Sequence, residues 1–241
     1  MSESSFTLQT IGIIHSCFKE KFGVPRQPGL APASRAELHL CSPFDRREAL
    51  EGLQGSSHVW IQFIFHEFLG QNWKPTVRPP RLGGNKRMGV FATRSPVRPN
   101  PLGLSVVKLE GINFSGASPV LQLSGIDLIE GTPVVDIKPY VPYVDAIEDS
   151  RNDFADAVPE LLPLVFSEEA NLQCSQYENN NRTVIRELIV QVLQQDPRPS
   201  YQTIDSERIY GMNLLDINLQ WRYLLDADDA PLIEVLALKR R

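Results

Sequence analysis

The sequence predicts a mainly β protein, with an antiparallel sheet or small barrel followed by a small α+β domain. Short apolar stretches rich in β-branched residues follow one another closely over residues 6–137, and no long helical pattern lies between them. Neither a G-x-G-x-x-G sequence opening a helix nor a G-x-x-x-x-G-K-[ST] sequence occurs, which argues against a Rossmann or P-loop site. Beyond an acidic stretch, one helical pattern and two alternating stretches predict a helix and a hairpin.

The strongest strand signal lies at 58–68, where the sequence reads HVWIQFIFHEF. Odd-numbered positions from Val59 to Phe65 are expected to face one way and even-numbered positions the other. Since both faces carry apolar residues, we predict a central strand that is covered on both sides. The remaining elements predicted for this domain are strands at 6–15, 37–41, 88–93, 104–109, 120–126 and 134–137, and a short helix at 46–53 with Asp45 as its N-cap.

An acidic stretch separates the two predicted domains. Residues 144–160 contain six acids and little apolar content. We therefore expect a first domain at 5–145, a linker at 146–160 and a second domain at 161–241. In the second domain, helical spacing predicts a helix at 182–195 that ends at Asp196-Pro197. Alternation then predicts a hairpin from 217–223 and 233–238.

Composition narrows the class of protein. Apolar residues make up 42% of the chain and charged residues 22%, which is typical of soluble globular proteins. There is no apolar run of about 18 residues and no signal sequence, so we expect a cytoplasmic protein without a membrane segment. The three cysteines, Cys17, Cys41 and Cys174, are widely spaced and form no C-x-x-C pair. Neither a disulfide framework nor a metal site is therefore expected.

A basic loop at 73–103 is the most unusual stretch of the chain. Eight basic residues and no acid lie between Phe68 and Leu109, although the formal net charge is −5. Its many proline and glycine residues exclude a helix interior. Arginines held beside proline on a stiff backbone suit phosphate, because the planar guanidinium loses little entropy on binding. The alternative is an ordinary solvated surface loop.

Three further places carry residues that can act on a ligand. Asn100 lies between two prolines, so its amide is held ready to bond a base edge, unless the segment is a plain turn. His66 and Glu67 lie at the end of the long strand. There they either contact a ligand or are rim residues whose polar groups are satisfied within the protein. The stretch 127–133 predicts a tight turn whose backbone at Gly131 allows a close ligand approach, although an ordinary hairpin has the same residues. Asp136 and the lysine two positions on share a strand face and can pair.

Three motifs taken together resemble one known family. They are KEKFGVPRQPGL at 19–30, WKPTVRPPRLGGNKRMGVFATRSPVRPNPLG at 73–103 and DLIEGTPVVDIKPY at 127–140, and DPRPSY at 196–201 extends the similarity. In this order and at these separations they closely resemble the TsaA-like (YaeB) family, the TrmO tRNA methyltransferases. The resemblance implies a β-barrel that binds S-adenosylmethionine without a Rossmann sheet, often in a homodimer. It also implies methylation of N6 of threonylcarbamoyladenosine at position 37 of the tRNA anticodon loop.

The resemblance also implies roles for individual residues. The positions expected to contact the methyl donor are Arg26, Gln27, Pro28, His66, Glu67, Arg94, Leu104, Glu130, Gly131, Thr132 and Pro133. An acceptor that bonds the reacting amino group would localise its lone pair on nitrogen, and our own candidates for this acceptor are Asn100, Asp136 and nearby proline carbonyls. Phosphates of the anticodon stem-loop are expected to meet Arg78, Arg81, Lys86, Arg87 and Arg98. The alternative is a non-catalytic RNA-binding or adaptor protein that has kept the basic surface.

Overall fold

The computed structural model describes residues 5–79, 86–153, 155, 157–181, 184–198 and 202–240. Within these ranges, six strands close into a barrel whose neighbouring strands are all antiparallel. They are β1 (Gly12–Ser16), β2 (Arg35–Leu40), β3 (His58–Ile64), β6 (Leu102–Asn113), β7 (Val120–Ser124) and β8 (Pro133–Pro139). The strands β4 (Thr76–Val77) and β5 (Met88–Gly89) pair in a separate small sheet. The order around the barrel is β1-β2-β7-β6-β3-β8. The predicted mainly β fold is confirmed, and the first domain is a barrel.

The strand β3 lies between β6 and β8 and shows how the alternation of side chains builds the barrel. Val59 and Ile61 are fully buried and Phe63 is 4% exposed, so the predicted inward face is confirmed. The opposite face is only half-buried, and the prediction of a strand covered on both sides was wrong. Trp60 on this outer face donates a hydrogen bond from Nε1 to Asp145 Oδ2 at 3.0 Å. A barrel wall needs one packed face and one face toward solvent or a neighbour.

Several predicted elements are shorter than expected. The first strand begins at Gly12, and β3 ends at Ile64, followed by a 3-10 turn at His66–Phe68. The predicted strand at 88–93 contains only β5 before a 3-10 turn at Val90–Ala92. The predicted helix at 46–53 is two 3-10 turns, Arg47–Leu50 and Leu53–Gly55, separated at Gly52, whose φ is 83°. Asp45 does not cap it, because its carboxylate accepts the Ser118 hydroxyl at 2.6 Å.

The C-terminal part contains more structure than the predicted helix and hairpin. Its strands are β9 (Leu164–Phe166), β10 (Tyr210–Leu214), β11 (Ile217–Leu225) and β12 (Pro231–Arg240), and its helices are α2 (Glu168–Asn181) and α3 (Ile185–Leu193), after a short α1 (Pro142–Asp145). The sheet order is β10-β11-β12-β9, so the predicted hairpin of β11 and β12 lies at its centre. Sequence periodicity missed α2 because only Ala170 and Cys174 are buried on it. In the described ranges, no helix combines the length and apolarity that a membrane span requires.

The segment 17–35, between β1 and β2, packs directly against the C-terminal sheet and helices. The backbone N–H of Leu215 donates to the Cys17 carbonyl at 2.7 Å, and the N–H of Ala33 donates to Gln191 Oε1 at 2.7 Å. Phe22 stacks on the buried Trp221, with ring centroids 5.8 Å apart. The two parts therefore share one continuous apolar core, and the C-terminal part supports the segment that contains Arg26.

Candidate functional site

Two adjoining cavities open at the end of the barrel where β3 finishes and β6 begins. The larger has a volume of about 650 Å³ and the smaller about 180 Å³. Phe63, Phe65 and Asp127 line both cavities, so the two spaces meet at these side chains. Phe63 comes from β3, Phe65 from the turn after it, and Asp127 from the connection between β7 and β8. The junction therefore brings together three parts of the barrel domain.

The larger cavity combines cationic and apolar groups. Arg26, Arg94 and Arg98 line it together with Gln27 and Asn100, while Phe91 and Leu104 add apolar surface. Arg94 Nη1 donates to Gln27 Oε1 at 2.5 Å, although the two residues are 67 positions apart. Arg26 Nη2 donates to the backbone carbonyl of Asp196 at 3.2 Å. The segment between β1 and β2 and the basic loop thus converge on one cavity, and a hydrogen bond from Arg26 connects that cavity to the C-terminal part.

The smaller cavity contains the predicted residues His66, Glu67 and Thr132. Glu67 forms an ion pair with Lys21 at 2.9 Å, and the Lys21 ammonium lies 4.3 Å from the centre of the Phe68 ring. Partial burial lowers the pKa of His66, and the nearby Lys21 charge adds to the effect. His66 is therefore neutral at pH 7. Thr132 is buried and donates its hydroxyl to the Ile129 carbonyl at 2.7 Å.

Four of the predicted donor-contacting residues line neither cavity: Pro28, Glu130, Gly131 and Pro133. The Glu130 carboxylate instead accepts hydrogen bonds from His15 Nδ1, Lys19 Nζ and the backbone N–H of Ser16, each at 2.8 Å. Burial acts to raise the pKa of Glu130, but the bonds from Lys19, His15 and Ser16 outweigh it and lower that pKa. Gly131 adopts a φ of 77° and donates its N–H to the Ile14 carbonyl at 2.9 Å. Glu130 and Gly131 thus tie the turn that carries Thr132 to β1.

The two residues predicted to bond the reacting amino group lie in different surroundings. Asn100 is exposed and lines the larger cavity, and its backbone carbonyl accepts the Leu102 N–H at 2.7 Å. Asp136 lies on β8 outside both cavities and pairs with Lys138 Nζ at 2.6 Å. The local spacing had indicated this ion pair. The cavity geometry supports Asn100 and gives no support to Asp136.

Of the residues predicted to meet phosphate, one lines the larger cavity and three others lie outside both cavities. Arg98 lines that cavity, and its Nη1 donates to the carbonyls of Thr93 and Ser95 at 3.4 and 3.5 Å. Arg78, Lys86 and Arg87 are exposed and flank β4 and β5. Arg81 lies outside the described residues. The described residues contain no group of three or more histidine, cysteine or acidic side chains arranged to hold a metal ion.

Comparison with known families identifies this arrangement. Residues 13–146 match the family model of the tRNA-methyltransferase O N-terminal domain, and residues 159–240 match that of the TrmO C-terminal domain. The chain belongs to the TrmO family. The resemblance found in the sequence is thereby confirmed.

Individual relatives agree with this membership of the TrmO family. The chain is 45% identical over 240 residues to a tRNA (adenine(37)-N6)-methyltransferase of Escherichia coli, covering 99% of this chain and 100% of the relative. It is 52% identical over 217 residues to RcsF of Pseudomonas aeruginosa, whose name describes an S-adenosylmethionine-dependent methyltransferase; the alignment covers 90% and 92% of the two chains. The crystal structure of TrmO from Pseudomonas aeruginosa superposes with a TM-score of 0.80 at 46% identity, over 98% of each chain.

Sequence reasoning missed the acid at the centre of this TrmO-family site. Asp127 had been placed only at the start of a turn, yet it lines both cavities. Ser105 on β6 donates its hydroxyl to Asp127 Oδ1 at 2.7 Å. Burial raises the pKa of Asp127 to about 6, while the Ser105 hydrogen bond and the Arg94 charge act to lower it. The one available signal was that Asp127 begins the motif DLIEGTPVVDIKPY.

Proposed function

We propose that this protein transfers a methyl group from S-adenosylmethionine to N6 of adenosine 37 in tRNA. We further propose that the adenosine carries a threonylcarbamoyl group. The observation that carries the proposal is the convergence of predicted donor-contacting residues on two cavities that meet. Arg26, Gln27, Arg94 and Leu104 line the larger cavity, and His66, Glu67 and Thr132 line the smaller.

The residues present fit such a donor. Guanidinium groups of Arg26 and Arg94 suit its carboxylate, because the planar fork can form two parallel hydrogen bonds. Phe63 and Phe65 at the junction offer faces and edges for an adenine ring. The donor supplies an activated methyl group on a cationic sulfur. A neutral His66 adds no repelling charge beside that cation.

The main task of the protein in this reaction is to position the reacting groups. An adenine N6 nitrogen is a poor nucleophile because its lone pair is delocalised into the ring. The exposed Asn100, held between Pro99 and Pro101, can hydrogen-bond the edge of the adenine base beside N6 and fix the direction of the base. Correct alignment of two reacting groups can supply roughly 7–11 kcal/mol of the barrier reduction. Adenosine 37 lies in a loop, so turning its base into the cavity costs less than it would from a duplex.

The tRNA is expected to approach over the basic surface beside the larger cavity. Arg98 lines that cavity, and Arg78, Lys86 and Arg87 are exposed next to β4 and β5, which come before the cavity-lining Phe91 in the chain. Each phosphate that these groups neutralise releases counterions, so affinity for tRNA should fall steeply as salt rises. Arg81 is predicted to share this role from the sequence.

We also propose that the protein is a cytoplasmic homodimer. A homodimer is the assembly that the resemblance to the TrmO family implies. Light scattering coupled to size-exclusion chromatography measures the mass in solution. A mass of one chain at micromolar concentration would contradict the dimer without affecting the proposed reaction.

The proposed reaction is tested with purified protein and methyl-labelled S-adenosylmethionine. One reaction contains tRNA with threonylcarbamoyladenosine at position 37, and the matched control contains the same tRNA without that group. We expect label on N6 of adenosine 37 in the first tRNA and at most a trace in the second. Equal labelling of both would contradict the threonylcarbamoyl requirement. Tight binding of tRNA with no labelling of either would favour the non-catalytic RNA-binding alternative.

A further inference from the structure

Asp127 differs from the other acids around the site in forming no ion pair, although the Arg94 charge lies near enough to lower its pKa. Glu67 pairs with Lys21, Glu130 with Lys19, and Asp136 with Lys138. Within the described ranges, no lysine or arginine forms an ion pair with Asp127. A carboxylate left inside a protein without a cation costs free energy, so its presence points to a use.

The position of Asp127 suits contact with a reacting group. Among the described residues, it is the one acid that lines the larger cavity, and it lines the smaller cavity as well. Ser105 Oγ, on a side chain that is 2% exposed, holds Oδ1 at 2.7 Å and so fixes the direction of the carboxylate. The predicted donor-contacting residues are divided between the two cavities. A donor that reaches both groups must pass the junction, where Asp127 lies beside Phe63 and Phe65.

We infer that Asp127 is the general base of the reaction, accepting the proton that N6 must lose when it is methylated. This inference rests on the proposed function. The nitrogen forms a bond to the methyl carbon while the carbon–sulfur bond breaks and leaves its electron pair on sulfur. The N6–H bond breaks with its pair on nitrogen, and the proton moves to the Asp127 carboxylate and from there to solvent. No further reactant is needed.

The ionisation of Asp127 agrees with this role. A base works best when its pKa lies slightly below the working pH. Burial raises the pKa of Asp127 to about 6, so the carboxylate is mostly ionised at pH 7 and can still hold a proton transiently. Activity should rise with pH through this pKa and then reach a plateau. Because the Ser105 hydrogen bond lowers the pKa of Asp127, removing it should move the rise to higher pH.

The first experiment measures single-turnover methylation of modified tRNA between pH 5 and 8 for the parent, Asp127→Asn and Ser105→Ala. Asparagine can still accept the Ser105 hydrogen bond but cannot take a proton. We expect Asp127→Asn to lower the plateau rate at least about 100-fold, since general bases contribute on the order of 10²–10⁴. Ser105→Ala should keep the rise with pH but shift its midpoint upward.

A matched control is available on the same strand as Ser105. Glu110 accepts the Ser124 hydroxyl at 2.6 Å and pairs with Lys108 on the barrel surface, outside both cavities. Glu110→Gln therefore removes a carboxylate from a similar hydrogen bond and should leave the pH profile unchanged. The same rates are measured for Asp136→Asn. If the rise of the methylation rate with pH is lost in Asp136→Asn and kept in Asp127→Asn, Asp136 is the base and the inference is overturned.

A second experiment does not depend on turnover. Carbon NMR of the protein with labelled aspartate follows the Asp127 carboxyl directly, and its midpoint should lie near pH 6 and rise in Ser105→Ala. Calorimetry should give Asp127→Asn a donor dissociation constant within about threefold of the parent. A tenfold weaker donor with unchanged turnover would make Asp127 a donor-binding residue instead. If the parent protein methylates no tRNA, the proposed function fails. If the parent methylates tRNA and Asp127→Asn is fully active as well, only this inference is overturned.

Discussion

The end of the barrel and the C-terminal sheet use their side chains in opposite ways. At the barrel end, Arg94 and Asn100 are exposed on irregular backbone and line a cavity. In the C-terminal sheet, Trp221 and Tyr223 are fully buried on regular strands. All the residues that line the two cavities belong to the barrel domain. The comparison indicates that the barrel provides the chemistry and that the C-terminal part provides support.

The support is concentrated on the segment between β1 and β2. Phe22 from this segment, Trp221 and Tyr210 form a stack with neighbouring ring centroids 5.8 Å apart. Further along the segment, Arg26 donates to the carbonyl of Asp196, whose carboxylate accepts the Tyr223 hydroxyl at 2.8 Å. The site and its support are therefore connected by a few named contacts. Four variants test how far the two regions depend on each other.

The largest effect is expected on stability, when the C-terminal sheet loses the aromatic side chain at the centre of its core. Trp221→Ala removes a ring that is 0% exposed and packed between Phe22 and Tyr210. Such a change costs about 3–5 kcal/mol of the free energy of unfolding, because it leaves a cavity in the core. Chemical denaturation measures this loss. Leu172→Ala, on a side chain that is 65% exposed on α2, serves as the control and should change stability little. A loss below about 1 kcal/mol for Trp221→Ala would contradict the shared core.

The next effect concerns the site alone. Arg94→Ala removes a guanidinium that bonds Gln27 in the larger cavity. Hydrogen bonds to charged groups contribute about 1.5–3 kcal/mol, so the donor should bind roughly tenfold or more weakly in calorimetry. Stability should hardly change because Arg94 is exposed. Arg47→Ala, an exposed arginine bonded to the Phe114 carbonyl away from the cavities, is the matched control. An unchanged donor titration would remove Arg94 from the site.

A smaller effect should separate the tRNA surface from the donor cavity. The double substitution Lys86→Ala with Arg87→Ala removes two exposed cations near β5. The slope of log affinity against log salt should fall in magnitude by about 1.4–1.8, which corresponds to two phosphate contacts. Fluorescence anisotropy with a labelled anticodon stem-loop measures this slope, while donor affinity should stay the same. A slope equal to that of the parent would exclude these two residues from phosphate binding.

The smallest effect tests the connection between the two regions. Tyr223→Phe removes the hydroxyl that bonds Asp196, at a cost of about 1 kcal/mol of stability. Tyr177→Phe is the matched control, since it removes a similar bond to Asp216 that lies outside the Arg26 contact. Only Tyr223→Phe should weaken donor binding, by less than about threefold. Equal donor affinities in both variants would show that the bond between Tyr223 and Asp196 does not help to position Arg26.

Much of the fold could be predicted because the decisive patterns are local. The alternation along β3 and the helical spacing on α3 describe which side chains are buried, and both are confirmed. The helix α2 could not be found in this way, since its two buried residues leave no apolar stripe. The predicted helix at 46–53 was wrong: the segment forms two 3-10 turns, and Gly52 between them takes a left-handed conformation. Such outcomes depend on how a segment meets its neighbours.

The candidate site could be predicted less completely. The sequence linked Gln27 and Arg94 only through the motifs that resemble the TrmO family. In the structure the two side chains form a hydrogen bond, although 67 positions of the chain separate them. Asp136 was one candidate acceptor for the reacting amino group, whereas Asp127 was overlooked. Folding places Asp136 beside Lys138 and leaves Asp127 beside a serine. The sequence could indicate the pair of Asp136 with the nearby Lys138, but it could not show that Asp127 lies between two cavities, because the other cavity residues are distant in the chain.

The sequence by itself determined the mainly β character, the stiff basic loop and the separate acidic stretch, because alternation, proline content and charge are properties of neighbouring residues. Tertiary structure alone decided that the strands close into a barrel and that two loops meet over its end. It also decided that Asp127 lies where the two cavities meet, hydrogen-bonded to Ser105. These features depend on distances between residues far apart in the chain, which no local pattern specifies.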